Sequence, residues 1–390
     1  MLRTSLTRLA ALALASFMVV SAAPPRPVAA ANEPYLIGAV LSESGPGSTL
    51  GRPEADSIQM AVDEINKAGG VNGHPLQATI LDDESNPTTA VNDVRKLLDQ
   101  HPVAIIGSSL TQTSLAMIPL TQAASVPLIS LASSSQVIQP VSERRWVFKM
   151  PITDFHVAQA MQEYMRKKKQ TKVAVIYRDD DYGKTGLSHF KDAGKNFGFE
   201  VVDAEAINAR ASDATTQLTH IKASNAQAIV CWTTLPSAAV IIKGYRELGM
   251  NLPIYYSDGA ATGVFPQQAG AALNGAYIAS TKINVADEMA KNDPQKKLTD
   301  HYIAQFVKDY PKDAPVSIFG GFGYDSVYVI KNAIARAKSV EGAKLRDAIE
   351  HTDYTGVTGT FRMSGGDHNG LSVFSIVLTQ VNNGKFNWVR

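Results

Sequence analysis

Short apolar runs alternate with amphipathic stretches from residue 35 onward, and few folds accommodate that order. YLIGAVL (35–41) precedes a helical pattern over 52–68 that ends at Gly69-Gly70. PLQATILD (75–82), a helix opened by Asn86-Pro87, VAIIG (103–107), a helix over 112–124 and PLIS (127–130) follow. Glycine ends helices and Asn-Pro opens one, as capping chemistry expects. Strands and helices alternating through such short connections predict a parallel sheet with helices on both faces. After FKMPITD (148–154) the pattern restarts. KVAVIYR (172–178), FEVVDAEAI (199–207), AQAIVCW (226–232) and LPIYYS (252–257) read as strands, with helices over 184–197, 213–223 and 236–248. Beyond residue 280 helices are expected over 294–310, 322–337 and 342–350. TGTFRM (358–363) and LSVFSIVLTQV (371–381), joined by the polar SGGDHNG, close the chain as strands. At 390 residues the chain exceeds one ordinary core, so the expected architecture is α/β in two lobes.

Residues 1–31 read as a secretory signal. Arg3 and Arg8 form a positive start, LAALALASFMVV (9–20) is too short to span a bilayer, and residues 28–31 offer an A-x-A-like cleavage site. PPRP at 24–27 argues against a buried N-terminal helix. Cleavage after residue 30 removes three of the 37 basic side chains and none of the 36 acidic ones, leaving a net charge of −2. Nothing in that balance points to a nucleic-acid surface. Cys231 is the sole cysteine, so there is no disulfide framework and no thiol near the cleavage region to carry a lipid. The expected product is a periplasmic protein, not a lipoprotein, with no membrane span in the mature chain.

Open parallel sheets bind ligands beyond the carboxyl ends of their strands. SSLTQTS (108–114) follows VAIIG, and Ala132 with Ser133, Ser134 and Ser135 follows PLISL. Hydroxyls and helix N-terminal amides at two neighbouring strand ends favour a bound anion. N-capping explains one hydroxyl per helix but not a cluster after both strands. Nucleophilic catalysis by these serines, as in a secreted hydrolase, is the rival class. It lacks a G-x-S-x-G elbow, and the eight histidines are scattered. No metal or cofactor motif is present; GPGSTLG (45–51) has Leu50 where a dinucleotide loop needs glycine, and reads as a ligand-lining turn. Asp258, after LPIYYS, either pairs with an ammonium group or serves the turn before Gly259. In RDDDYGKTG (178–186) the acids read as solvated turn residues, and Tyr182 as a ring that can stack on a ligand. Trp232, followed by Thr233 and Thr234, is either core or pocket wall.

SESGPGSTLGRPEADSIQMAVDEINKAGGVNGHPLQATILDDESNP resembles the N-terminal lobe of the periplasmic leucine/isoleucine/valine-binding proteins, the type I binding proteins of ABC importers. VAIIGSSLTQTSLAMIPLTQAASVPLIS, DYGKTG, YRELGMNLPIYYSDG and GTFRMSGGDHNG extend the resemblance over nearly the whole mature chain. It implies two Rossmann-like lobes joined by a three-segment hinge, with crossovers near 150, 281 and 356. Lobe 1 would be 31–150 plus 282–355, and lobe 2 would be 151–281 plus 356–390. It implies a non-enzymatic protein that closes on a small molecule and presents it to membrane permease subunits; a sensor docked to a membrane receptor is the other outlet. Matched residue by residue, the Thr111 hydroxyl and the Ser134 hydroxyl hold a ligand carboxylate. The Ala132 carbonyl and Asp258 hold an ammonium, and Tyr182 lines the cleft. A further cleft tyrosine of the family aligns with Thr234, or with Trp232 if one gap moves. Asp258 stands where the amino-acid binders carry Glu. The ligand implied is a branched-chain or related amino acid, or, as the alternative, an aromatic or other carboxylate without an amine.

Overall fold

The computed structural model describes residues 32–195, 197–310 and 315–390. The expected secretory signal lies outside the described residues. The first lobe opens with β1 (Tyr35–Leu41), α1 (Ser48–Lys67), β2 (Leu76–Asp82), α2 (Pro87–Leu98), β3 (Ala104–Gly107), α3 (Thr111–Ala123), β4 (Leu128–Ser130) and β5 (Val147–Lys149). Among the described residues these five strands form one parallel sheet in the order β2-β1-β3-β4-β5. Ile37, Ala39, Val40 and Leu41 are all buried, as a strand covered on both faces requires. Asn86 caps α2 by accepting from the Thr88 and Thr89 amides, with Pro87 in the first turn where its missing N–H costs nothing.

The second lobe contains α4 (Asp154–Lys167), β6 (Lys172–Arg178), α5 (Asp181–Lys195), β7 (Glu200–Ile207), α6 (Thr215–Ala223), β8 (Ala228–Trp232), α7 (Ser237–Glu247), β9 (Ile254–Tyr256), α8 (Val264–Ala269) and β10 (Tyr277–Ser280). The chain then returns to the first lobe with α9 (Lys296–Asp309), α10 (Ile318–Ala337), which packs along α1, and α11 (Gly342–Glu350). A small antiparallel ribbon of β11 (Asp353–Thr355) and β12 (Thr360–Arg362) leads back to β13 (Val377–Asn382) and β14 (Lys385–Val389).

The second sheet has the order β14-β13-β10-β9-β8-β6-β7. It is not parallel throughout: β13 runs antiparallel to β10, and β14 antiparallel to β13. The sequence reading missed α4, β5, α8, β10, β11 and β14. It also extended the strand at 371–381 too far back, because Val373–Ser375 form a 3₁₀ turn. Helix α10 starts at Ile318 rather than 322. Two of its glycines, poor helix formers in isolation, lie close against α1: a Cβ on Gly323 would lie 2.7 Å from the Glu54 carbonyl oxygen, and one on Gly320 2.7 Å from Ser57 Oγ.

The three passages between lobes are bonded to one another. Gln295 Nε2 donates to the Gly356 and Val357 carbonyls at 3.0 and 3.3 Å. Asn369 Nδ2 donates to the Lys149 and Pro151 carbonyls at 2.9 and 2.8 Å. The buried Asp325 carboxylate accepts from the Val357 and Thr358 amides, both at 2.9 Å. Among the described residues no helix is long and apolar enough to cross a membrane.

Candidate functional site

Each sheet has one place where its winding reverses, between β1 and β3 in the first and between β6 and β8 in the second. The crevice beyond the carboxyl ends of such a pair is where an open α/β sheet receives a ligand. β3 delivers Ser109, Leu110 and Thr111; β6 ends in Arg178; β8 is followed by Thr234. The adjacent strands β4 and β9 add Ser133 and Gly259. With Leu50, Tyr182 and Phe319 these residues line one narrow cavity between the lobes, whose free volume of about 10 Å³ is room for no more than a single water. A larger depression bounded by Pro266, Ile283 and Phe386 receives no residue from the ends of β3, β6 or β8.

Asp258 is the electrostatic centre of the cleft. Its Oδ2 accepts from the Ser133 hydroxyl at 2.9 Å, a bond that joins the turn after β4 to the turn after β9. Its Oδ1 accepts from the Tyr182 hydroxyl at 3.2 Å. Burial pushes its carboxyl above the ordinary aspartate value, against the lowering effects of the Ser133 hydrogen bond and the Lys149 charge. Lys149 is itself fully buried and pushed down to about 8 by desolvation. The Tyr182 hydroxyl is also bonded to Ser257 Oγ at 2.9 Å and to the Gly259 amide at 3.2 Å, which fixes its ring in place.

On the opposite wall, α3 begins at Thr111 with no side chain capping it, so its first-turn amides are available at the cavity. Ser109 Oγ accepts from the Ser42 amide at 3.0 Å and donates to Glu54 Oε2 at 2.5 Å. Glu54 is fully buried, and desolvation pushes its carboxyl up to about 8, so it is protonated at neutral pH.

The sequence-predicted residues separate into two groups. Thr111, Ser133, Tyr182 and Thr234 line the cavity, and Asp258 bonds to two of them. Ser134 is turned away, and its hydroxyl accepts from the Gln136 amide at 3.3 Å as the cap of a short 3₁₀ turn. Ala132 is buried in the segment between β4 and that turn without lining the cavity. Trp232 is core: fully buried, it lies beneath Tyr182 with ring centroids 6.3 Å apart. Ser109 and Leu110 fall within the SSLTQTS cluster that the sequence placed at the site, whereas Phe319 and above all Arg178 carry no expectation from the sequence. The sequence signal for Arg178 is a cation at the carboxyl end of KVAVIYR, followed at once by the acids of the turn.

A family model described as periplasmic binding protein matches residues 34–385. A leucine-, isoleucine-, valine-, threonine- and alanine-binding protein of Pseudomonas aeruginosa is 24% identical over 325 residues, covering 81% of this chain and 82% of the relative. Leu/Ile/Val-binding protein homolog 7 of Brucella abortus is 25% identical, covering 83% of each. Among solved structures, an extracellular ligand-binding receptor from Rhodopseudomonas palustris HaA2 superposes with a TM-score of 0.85 at 30% identity, covering 91% of this chain and 99% of that one. A branched-chain amino acid transporter substrate-binding protein of Streptococcus pneumoniae, solved with isoleucine, gives 0.79 at 26% identity, with the same coverage.

Proposed function

The chain belongs to the periplasmic binding protein family, and from that premise we propose that it captures a branched-chain or related amino acid in the interlobe cavity and delivers it to the permease of an ABC importer. It is a binding protein and not an enzyme, as its relatives are, so Ser133–Ser135 are not nucleophiles. The observation that carries the proposal is the Ser133–Asp258 hydrogen bond, which spans the cleft at the cavity wall. A ligand ammonium would take Asp258 as its acceptor, and a ligand carboxylate the Thr111 hydroxyl and the first-turn amides of α3. The amino acids in the names of the Pseudomonas and Brucella relatives motivate the ligand class. We place the lobe boundaries at 150, 281 and 356, with closure by rotation about those three passages, and the mature protein in the periplasm after removal of residues 1–30.

A second reading keeps the site and replaces the amino acid with an aromatic carboxylate. It is favoured by Asp258 already accepting two hydroxyls, from Ser133 and Tyr182, which a phenolic ligand could replace. A thermal-shift panel of leucine, isoleucine, valine, benzoate and 4-hydroxybenzoate on the purified protein tests both. A ligand at about 100 times its dissociation constant stabilises by about 2.7 kcal/mol, raising the melting temperature by roughly 5–10 °C for lobes of this size. A shift with the amino acids supports the first reading, and a shift with benzoates only supports the second. No shift with any of them removes both.

A further inference from the structure

Arg178 has no role in the reading above, yet it lines the cavity and is 2% exposed. As the last residue of β6 it stands at the second sheet's switch point. Its Nε donates to Asp180 and its Nη1 to Thr234 Oγ1, each at 2.5 Å. Its Cζ lies 5.8 Å from the centroid of the Tyr182 ring. Thr234 and Tyr182 themselves line the cavity, so the guanidinium is set into the wall between them.

A guanidinium offers five N–H donors in one plane, and Asp180 and Thr234 take one each of those at Nε and Nη1. Branched hydrocarbon packed against such a group would bury donors without acceptors, which is costly. A carboxylate matches the fork in two parallel hydrogen bonds. Tyr182 supplies the spacing. Its ring adjoins Arg178 and its hydroxyl bonds Asp258, so one rigid side chain stands between the two opposite charges.

We propose that Arg178 receives a carboxylate carried by the end of the ligand remote from Asp258. The ligand is then a molecule with a hydrogen-bond donor at one end and a carboxylate at the other, which selects a related amino acid, or the aromatic acid of the second reading, over the branched-chain amino acids named above. The proposal rests on the interlobe cavity being the binding site and narrows the class that enters it. Two sources share this chemistry: an amino acid with an acidic side chain, and an aromatic acid with a hydroxyl opposite its carboxylate.

Isothermal titration of the purified protein with L-glutamate, its γ-methyl ester, 4-hydroxybenzoate, its methyl ester and L-leucine tests the proposal and separates the sources. At least one acid is expected to bind about 10- to 100-fold tighter than its own ester, the scale of a charge-assisted hydrogen bond. Arg178→Met should erase that preference, and Arg178→Lys, which keeps the charge without the fork, should retain part of it. The acid–ester comparison uses unaltered protein, so it stands even if a variant fails to fold. An ester binding as well as its acid, or a preference surviving in Arg178→Met, overturns the proposal. Leucine binding with neither acid bound overturns it while leaving amino-acid capture intact. Binding of none of the five overturns both.

Discussion

Replacing Glu54 with glutamine should change how the stability of this protein responds to pH. Glu54 lies on the buried face of α1 and bonds to Ser109, a wall residue of the cavity. Desolvation raises its carboxyl from 4.5 to about 8. The folded protein therefore holds a proton that the unfolded chain releases above about pH 4.5. The stabilisation from this group is fully present below that value and is lost as the pH rises through 8. Each pH unit in that interval is worth about 1.4 kcal/mol, so the loss totals about 5 kcal/mol. Glutamine keeps the shape and an acceptor for the Ser109 hydroxyl but has no proton to release. Urea unfolding of wild type and Glu54→Gln at pH 5, 6, 7, 8 and 9 measures the difference directly, because every other titrating group cancels. The difference should move in favour of the variant by about 1.4 kcal/mol per pH unit up to 8 and then level off. Any packing cost of the amide shifts the whole curve without altering its slope. Parallel stability curves between pH 5 and 8 would refute the reasoning and show that Glu54 ionises like a solvated carboxyl.

Three further outcomes are expected. Asp258→Asn should weaken binding of an amino-acid ligand about 10- to 100-fold; in wild type the affinity should fall on acidification from above the ordinary aspartate value, because burial raises this carboxyl, and titration calorimetry across pH 4–7 checks both. Ser133→Ala should weaken ligand binding, whereas Ser134→Ala should leave it unchanged and cost about 0.5 kcal/mol of stability, as loss of a cap does; equal losses of affinity in the two variants would contradict the placement of these hydroxyls. Gly186→Ala would put a Cβ 2.1 Å from Trp232 Nε1 and should destabilise by about 1–3 kcal/mol, read as a lower melting temperature by calorimetry.

Much of the architecture is legible in local pattern. Apolar strands such as YLIGAVL and AQAIVCW, the Asn86-Pro87 cap and the helix over 342–350 appear where periodicity and capping place them. The missed elements have physical reasons. β10 is four residues long, too short for any period to show, and it is a strand because β9 and β13 pair with it on either side. The N-terminal turn of α10 reads as a glycine-rich break until α1 is packed against it.

The same division runs through the site. The residue types and spacing determined that hydroxyls gather at the ends of β3 and β4 and that an acid follows β9, because turn and strand-end chemistry depends on near neighbours in the chain. Only the tertiary structure decided which of those hydroxyls reach the cavity. Ser133 and Ser134 are adjacent and chemically identical, and one bonds Asp258, 125 positions away, while the other caps its own turn. Arg178 stands in the sequence only as the last residue of an expected strand and is buried in the fold, where β8 pairs with its strand and Thr234 accepts from it. Burial, and with it the cost of a charge and its choice of partner, is set by segments that fold against one another from far apart in the chain, so no local pattern carries it.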